Sequence, residues 1–274
     1  MPTLVDLYDN AYAHYDAEVY REVRVGTYGQ DLGQTSWVTN AESREIPGLL
    51  HLKAESYVLE IGCGSGRYAL QIVEAVGCRV LGIDINEPGV KNANDLAAAR
   101  KLSTQAVFER HDASKKLAFD GQIFDAVLAN DVVCHIPGRE SLFQEVFRVL
   151  KPLGRFLFSD ALVIGGVISA QEIATRSSIG YYLFSPPHHN EHLLQVAGFG
   201  PIEARDTTEN AALIAQRWRD ARNERRSALV DLEGEENFEG LQRFLSGVNT
   251  LCSERRLLRY LYCAQKPGYE GPLG

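Results

Sequence analysis

A glycine-rich turn wedged between an apolar run and an amphipathic one constrains this chain more than any other feature. Val58-Leu59-Glu60-Ile61 reads as a buried strand, Gly62-Cys63-Gly64-Ser65-Gly66 as a tight turn, and 67–76 as a helix with Tyr68, Ala69, Ile72, Val73 and Val76 on one face. Glycines let a backbone turn sharply and come close to a ligand. The helix that follows presents its free N–H groups to whatever is bound there. Eighteen residues beyond Gly66 a second apolar run, Val80-Leu81-Gly82-Ile83-Asp84, ends in a carboxylate able to accept hydrogen bonds from a ribose diol. A glycine loop after one strand and an acid at the tip of the next form an adenosine-binding arrangement at the carboxyl ends of a doubly wound sheet.

The alternation continues. Further strands are expected over 105–110, 124–130 and 155–160. Helices are expected over 87–102 and 140–150, where Val90, Ala93, Ala97 and then Phe143, Val146, Phe147, Leu150 recur at helical spacing. Turn signals close the helices at Gly77 and at Lys151-Pro152-Leu153-Gly154. Apolar strands alternating with helices imply a parallel sheet covered on both faces. The predicted fold class is therefore α/β: a Rossmann-like doubly wound sheet, mostly parallel with an antiparallel last strand, plus a helical cap. Three zones are expected. Residues 1–55, with five tyrosines, form an N-terminal helical lid of one or two helices. Residues 56–162 form the cofactor-binding core, and 163–274 the cap helices and final strands that complete the sheet. In this last zone Gly165-Gly166 and Pro186-Pro187 bracket a mobile segment. A helix over His189–Ala197, a strand over 201–205, helices near 209–230 and 235–252, and a strand over 257–264 follow.

Asp and Glu outnumber Lys and Arg by 36 to 28, a formal charge of −8. An acidic chain without a basic patch is a poor partner for a polyanion, so no nucleic-acid binding is expected. The five cysteines are odd in number, scattered, and free of any C-x-x-C pair, which reads as reduced buried thiols. With no leader-like start and no apolar run of roughly 18 residues, a cytoplasmic protein without a membrane span is expected, a monomer or homodimer acting on a small molecule.

The turn also sorts the adenosine-containing cofactors. The dinucleotide fingerprint is G-x-G-x-x-G, but here the glycines fall at 62, 64 and 66, and Arg67 stands in the last place. Glu60, two residues ahead, would repel a pyrophosphate and attract an ammonium group. The arrangement suits a cofactor with a ribose and a cation but no phosphate.

Residues 58–67 resemble motif I (E-x-G-x-G-x-G) of the class I S-adenosylmethionine-dependent methyltransferases, small-molecule branch. His111-Asp112-Ala113, the run from Asn130 to Pro137, and Phe147-Arg148-Val149-Leu150-Lys151-Pro152-Leu153-Gly154-Arg155 resemble later motifs of that family. Leu153 stands where the L-K-P-G-G pattern has its first glycine. The resemblance implies methyl transfer from S-adenosylmethionine, with S-adenosylhomocysteine as product. It implies a cofactor site made from Glu60, Gly62, Cys63, Gly64, Gly66, Asp84, Ile85, Asp112, Ala113 and Asn130. The segment from Gly29 to Trp37 resembles the lid that closes over the methionine moiety, which would bring Trp37 to the cofactor. The alternatives are an NAD-dependent oxidoreductase and a non-catalytic S-adenosylmethionine-binding module.

Methyl transfer needs a base only where the acceptor must lose a proton. His135, just past the fourth strand, is the candidate base, or else a structural histidine orienting its loop. Asp131 either steers a cationic amine or anchors the same loop. An amine or hydroxyl acceptor is favoured and carbon is possible. His188, His189 and His192 form the densest titratable cluster. His188 and His192 are compatible with a metal pair at i, i+4, but the pattern is not H-E-x-x-H and no partner acid is apparent; no metal site is expected. Arg217, Arg219, Arg222, Arg225 and Arg226 read as a solvated, ion-paired face, or as a source of one inward arginine for an anionic substrate.

Overall fold

The structure, a computed structural model, describes residues 5–31, 33 and 35–268. Three short helices open it: α1 (Tyr8–Ala13), α2 (Glu18–Tyr28) and α3 (Asn40–Leu49). The expected one or two are three. Ala17 leaves the helical region between α1 and α2, with ψ of 130°. Thr39 starts α3 by accepting a hydrogen bond from the Glu42 N–H. The alternating unit then runs β1 (Tyr57–Ile61), α4 (Arg67–Val76), β2 (Arg79–Asp84), α5 (Glu87–Ala99), β3 (Ala106–Arg110), β4 (Phe124–Ala129), α6 (Arg139–Val149) and β5 (Leu150–Ile164). After it come α7 (Ala170–Arg176), α8 (His189–Ala197), β6 (Ile202–Asp206), α9 (Thr208–Glu224), α10 (Arg226–Glu233), α11 (Glu235–Ser253) and β7 (Leu257–Gln265).

The strands form one sheet in the order β3-β2-β1-β4-β5-β7-β6, with β7 antiparallel to both its neighbours and the other pairs parallel. Val58, Leu59 and Ile61 of β1 and Val80, Leu81 and Ile83 of β2 are all buried, as strands covered on both faces require. The chain lays β2 and β3 to one side of β1 and β4 to the other. The loops leaving β1 and β4 therefore part in opposite directions and open a crevice at the carboxyl end of the sheet.

Two apolar clusters pack helices on the two faces, one around Ile72, Val73, Val80 and Phe108, the other around Phe143, Phe156, Phe158 and Leu194. A third joins the N-terminal helices to α9 and α11 through Tyr28, Trp37, Trp218 and Phe244. The division at 1–55, 56–162 and 163–274 remains our own reading of this architecture.

Further differences lie between Gly165 and Pro187, where the capped helix α7 stands in the segment expected to be mobile, in β5, and after α9. The strand expected over 155–160 is fifteen residues long, because Lys151–Gly154, read as a turn, is a register shift inside β5 opposite Phe124 and Ala126. Leu153 sits there at φ 64°, a left-handed conformation costing a non-glycine residue about 1 kcal/mol, so its departure from the glycine pattern leaves some strain. The helix expected over 209–230 breaks at Arg225. There Arg225 pairs with Glu22 of α2, Arg226 pairs with Glu235 and Glu239 of α11, and α10 turns to bury Leu229 completely.

Candidate active site

The crevice is a cavity of about 580 Å³ lined on its floor by Glu60, Gly62, Cys63, Gly64, Ser65, Asp84, Ile85 and Asn130. Over it lie Tyr8 and Tyr12 of α1, Thr35 and Ser36 of the following segment, and His135, Ile179, Gly180 and Tyr181. A larger recess of about 640 Å³ lies near α7 and α11, lined by Gln171, Thr175, Glu233 and Arg243. None of its lining residues comes from the ends of β1, β2 or β4, where the crevice opens.

The glycine turn is shaped by crowding. Gly62, at φ 72°, faces the Val132 side chain, and Gly64, at φ 51°, faces the Tyr12 hydroxyl so closely that a Cβ would collide with it. Asp84 accepts hydrogen bonds from Gly64 N–H and Asn86 N–H, both at 2.8 Å, and so fixes the two loops against each other. Burial raises the Asp84 carboxyl, against the lowering effect of those backbone donors.

Glu60 is buried at the end of β1, and burial, reinforced by the Asp84 charge, pushes its carboxyl up to about 8. Its Oε2 has no hydrogen-bond partner, nor has either polar atom of the Asn130 side chain. Buried polar atoms without partners cost roughly 1–3 kcal/mol each. These lie on the cavity floor, where an ammonium group and hydrogen-bonding ligand atoms would satisfy them. Those residues fit a cationic, ribose-bearing cofactor.

Four of the expected cofactor residues do not line the cavity. Asp112 turns its carboxylate into its own loop, accepting from Ser114 N–H and Oγ, and neither it nor Ala113 lines the cavity. Gly66 also lies outside the lining. Its place, facing Ala93 and Phe108, lets α4 pack closely on the sheet. The Trp37 ring is buried among Trp218 and Phe244, and only its backbone N–H points to the site, donating to Asp131 Oδ2 at 2.8 Å.

Of the lid segment, Leu32 and Gln34 lie outside the described residues; Gly33, Thr35 and Ser36 line the cavity. Ser65 Oγ donates to Gly33 O at 3.0 Å and Arg67 Nη1 to Asp31 O at 2.6 Å. The arginine occupying the third-glycine position of a dinucleotide turn thus holds the lid down. Helix α1 is tethered above the cavity by Asn86 Nδ2 to Asp9 Oδ1 and Asn92 Nδ2 to Tyr12 O.

At the far end His135 bridges Tyr8 and Tyr181. Its Nδ1 lies 3.1 Å from Tyr181 O, which can only accept, so Nδ1 carries the proton and Nε2, 3.0 Å away from the Tyr8 hydroxyl, offers its lone pair. Burial, then the Arg176 charge, lowers His135 to about 4, so the imidazole is neutral near pH 7. Arg176 is itself fully buried against the rings of Tyr182, Phe244 and Trp37. Burial raises the Tyr8 hydroxyl well above the usual phenol range, so Tyr8 is protonated.

Of the two roles expected for Asp131, its contacts fit the loop anchor. Oδ1 accepts from Ser159 Oγ and Arg259 Nε, and Oδ2 from Trp37 N–H and Arg259 Nη2, which leaves no acceptor position for an amine. Asp131 anchors the loop. His188 is exposed and bonded only to Glu191, His192 is exposed, and none of the three helix-start histidines lines the cavity. Among the described residues no group of three or more His, Cys, Asp or Glu side chains converges as for a metal. Of the arginines, Arg219, Arg225 and Arg226 pair at the surface; Arg222 is the inward one, but its partner is Glu233 rather than the cavity.

One or two of the N-terminal tyrosines were expected to line the pocket, with none singled out, and the rest to pack in the core; Tyr8 and Tyr12 are the two that line it. Arg259 was missed, and nothing local marks it.

Residues 59–158 match the family model described as a methyltransferase domain. A phosphoethanolamine N-methyltransferase from Triticum aestivum is 31% identical over 190 residues, covering 69% of this chain and 36% of that one. A 27-O-demethylrifamycin SV methyltransferase from Amycolatopsis mediterranei is 29% identical over 208 residues, 71% of this chain and 75% of that one. The solved phosphoethanolamine N-methyltransferase 2 of Haemonchus contortus, in complex with phosphomonomethylethanolamine and S-adenosylhomocysteine, superposes with a TM-score of 0.79 at 20% identity, over 95% of this chain and 60% of that one. The chain thus spans about a third of the wheat relative's length. The superposition shows the shared fold. Among the described residues no helix is long and apolar enough to cross a membrane.

Proposed function

We propose that this chain, whose residues 59–158 form a class I S-adenosylmethionine-dependent methyltransferase domain, moves a methyl group from that cofactor to a small-molecule acceptor. The observation that carries the reading is the set of unpartnered buried atoms of Glu60 and Asn130 beside the glycine turn, across one cavity from the Tyr8–His135 pair. When bound, the cofactor supplies a methyl group activated by sulfonium. Glu60 holds its ammonium, Asp84 the ribose diol, Ile85 and the turn at Gly62, Cys63 and Gly64 the adenosine, and Asn130 a polar group beside the floor. The lid and α1 exclude water and align the acceptor, which is most of what an in-line displacement asks of a protein.

An amine or hydroxyl acceptor is favoured, with carbon possible. A neutral His135, whose Nε2 lone pair holds the Tyr8 hydroxyl, takes up the proton such an acceptor loses by relay: Tyr8 passes its own proton to Nε2 as its oxygen receives the acceptor's. One relative named for an amine nitrogen and another for a 27-O-demethyl compound support both kinds of acceptor. The five free, buried cysteines are in keeping with a reducing, cytoplasmic setting, and the chain acts as a monomer or homodimer without nucleic acid.

Titration calorimetry with S-adenosylhomocysteine and with NADH tests the cofactor. Binding of the first alone is expected, and binding of NADH instead would make the chain an oxidoreductase. Asp84→Ala is expected to weaken S-adenosylhomocysteine binding about tenfold or more, since it strands the ribose diol and frees both loop amides; unchanged affinity would remove Asp84 from the site. A methyl-acceptor screen with labelled cofactor, divided among amines, phenols and carbon acids, identifies the acceptor. Transfer to none of them would favour a binding module.

A further inference from the structure

We infer that Arg259 is a positioning residue that ties the Trp37 backbone and the loop carrying His135 into one frame, a role that rests on the methyltransferase reading above. Arg259 lies in β7, remote in sequence from both the lid and the base, and its side chain is fully buried. Its guanidinium spans two carboxylates. On one side Nε and Nη2 grip Asp131 at 2.8 and 3.2 Å; on the other Nη1 and Nη2 meet Glu42 of α3 at 2.9 and 2.8 Å. Thr207 Oγ1 takes a further bond from Nη1 at 2.8 Å.

Each carboxylate leads to one half of the site. Glu42 is in the first turn of α3, directly after the lid. Asp131 accepts the Trp37 N–H from the lid itself, sits at φ 51° in the left-handed region, and is further held by Ser159, which takes its N–H and donates to its Oδ1. A non-glycine residue keeps that conformation only where its surroundings over-determine it. On either side of Asp131 stand Asn130 and Val132, the latter packed over Gly62. One turn on, the short helix Val133–His135 delivers the imidazole. With Arg259 in place the lid backbone, the cofactor floor and His135 share one rigid frame. Without its fork the Trp37 N–H has a carboxylate held by Ser159 alone, and Asp131 can more readily leave the left-handed region and carry His135 with it.

Lysine keeps the charge between the two acids but is a point donor, unable to span both carboxylates in one plane. In Arg259→Lys bound to S-adenosylhomocysteine, the Trp37 amide is expected to exchange with solvent deuterium about tenfold faster or more, while β1 amides keep their protection. S-adenosylhomocysteine should also dissociate faster by a similar factor. Glu42→Gln, which removes the lid-side charge alone, should move both readouts the same way, and it decides the matter should the lysine variant fail to fold. A merely structural arginine would lower the melting temperature and loosen β1 and Trp37 together. Trp37 protection within twofold of the parent in both variants, or a uniform loss across both segments, overturns the role. Should the parent protein not bind S-adenosylhomocysteine, the methyltransferase reading fails by itself. Trp37 exchange in the ligand-free protein then still tests the Arg259 frame.

Discussion

His135→Ala is expected to lower methyl transfer to an amine or hydroxyl acceptor by about 10²- to 10⁴-fold at saturating cofactor, the usual worth of a positioned base, while leaving S-adenosylhomocysteine affinity nearly intact. The separation follows from geometry. His135 bonds Tyr8 and Tyr181, and neither Asp84 nor Glu60 is among its partners, so its removal breaks no contact of theirs. The pH dependence is equally specific. Burial and Arg176 hold His135 down to about 4, so the rate should show no inflection near the ordinary histidine value of about 6.5. For stability the sign is opposite to that of a paired histidine. Between about 6.5 and 4 the unfolded chain binds a proton that the folded protein refuses. The His135 contribution is therefore present above 6.5 and lost as pH falls through that window. Rates measured from pH 5 to 8, with thermal melts of parent and variant, check both. Unaltered turnover in His135→Ala would reduce the residue to a loop support.

The second large effect concerns Glu60. Its carboxyl, raised to about 8, is protonated in the free protein near neutral pH and must ionise to pair with an ammonium. S-adenosylhomocysteine affinity should therefore rise toward pH 8 by up to about tenfold per unit, with a proton released on binding. Glu60→Gln should bind about 10- to 100-fold more weakly at pH 8, the worth of one charge-assisted hydrogen bond, and with little pH dependence. Calorimetry in buffers of different ionisation heat counts the proton, and a parent protein that releases none would refute the pairing. The free protein carries the complementary signature. Because Glu60 binds its proton more tightly when folded, its contribution to stability is complete below about 4.5 and declines as pH rises through 8; Glu60→Gln removes that slope.

Much of this frame is local and was legible in the chain. Strand β1, the glycine turn and α4 fell where periodicity and glycine spacing put them, because each is specified by neighbours within a few residues. Glu60 and Asp84 were legible for the same reason: strand ends carry their last side chains to one edge of a parallel sheet. The acceptor end was only half legible. His135 was marked by its motif, yet its tautomer and lowered affinity for a proton come from Tyr8, Tyr181 and Arg176, which are 127, 46 and 41 residues away in the chain. Asp131 shows the limit most clearly. Beside a candidate base it reads either as a carboxylate for an amine or as a loop anchor, and only the fold shows that Arg259, Ser159 and the Trp37 amide fill every acceptor position it has. Trp37 moved the same way, from lid to core, once Trp218 and Phe244 were there to bury it.

The sequence by itself determined the strands, the turn and the two carboxylates at the strand ends, since backbone sterics and short-range periodicity suffice for these. Only the tertiary structure decided which charged groups stay free to act. A carboxylate or imidazole takes its function from partners that folding brings together, and those partners are scattered from Tyr8 to Arg259.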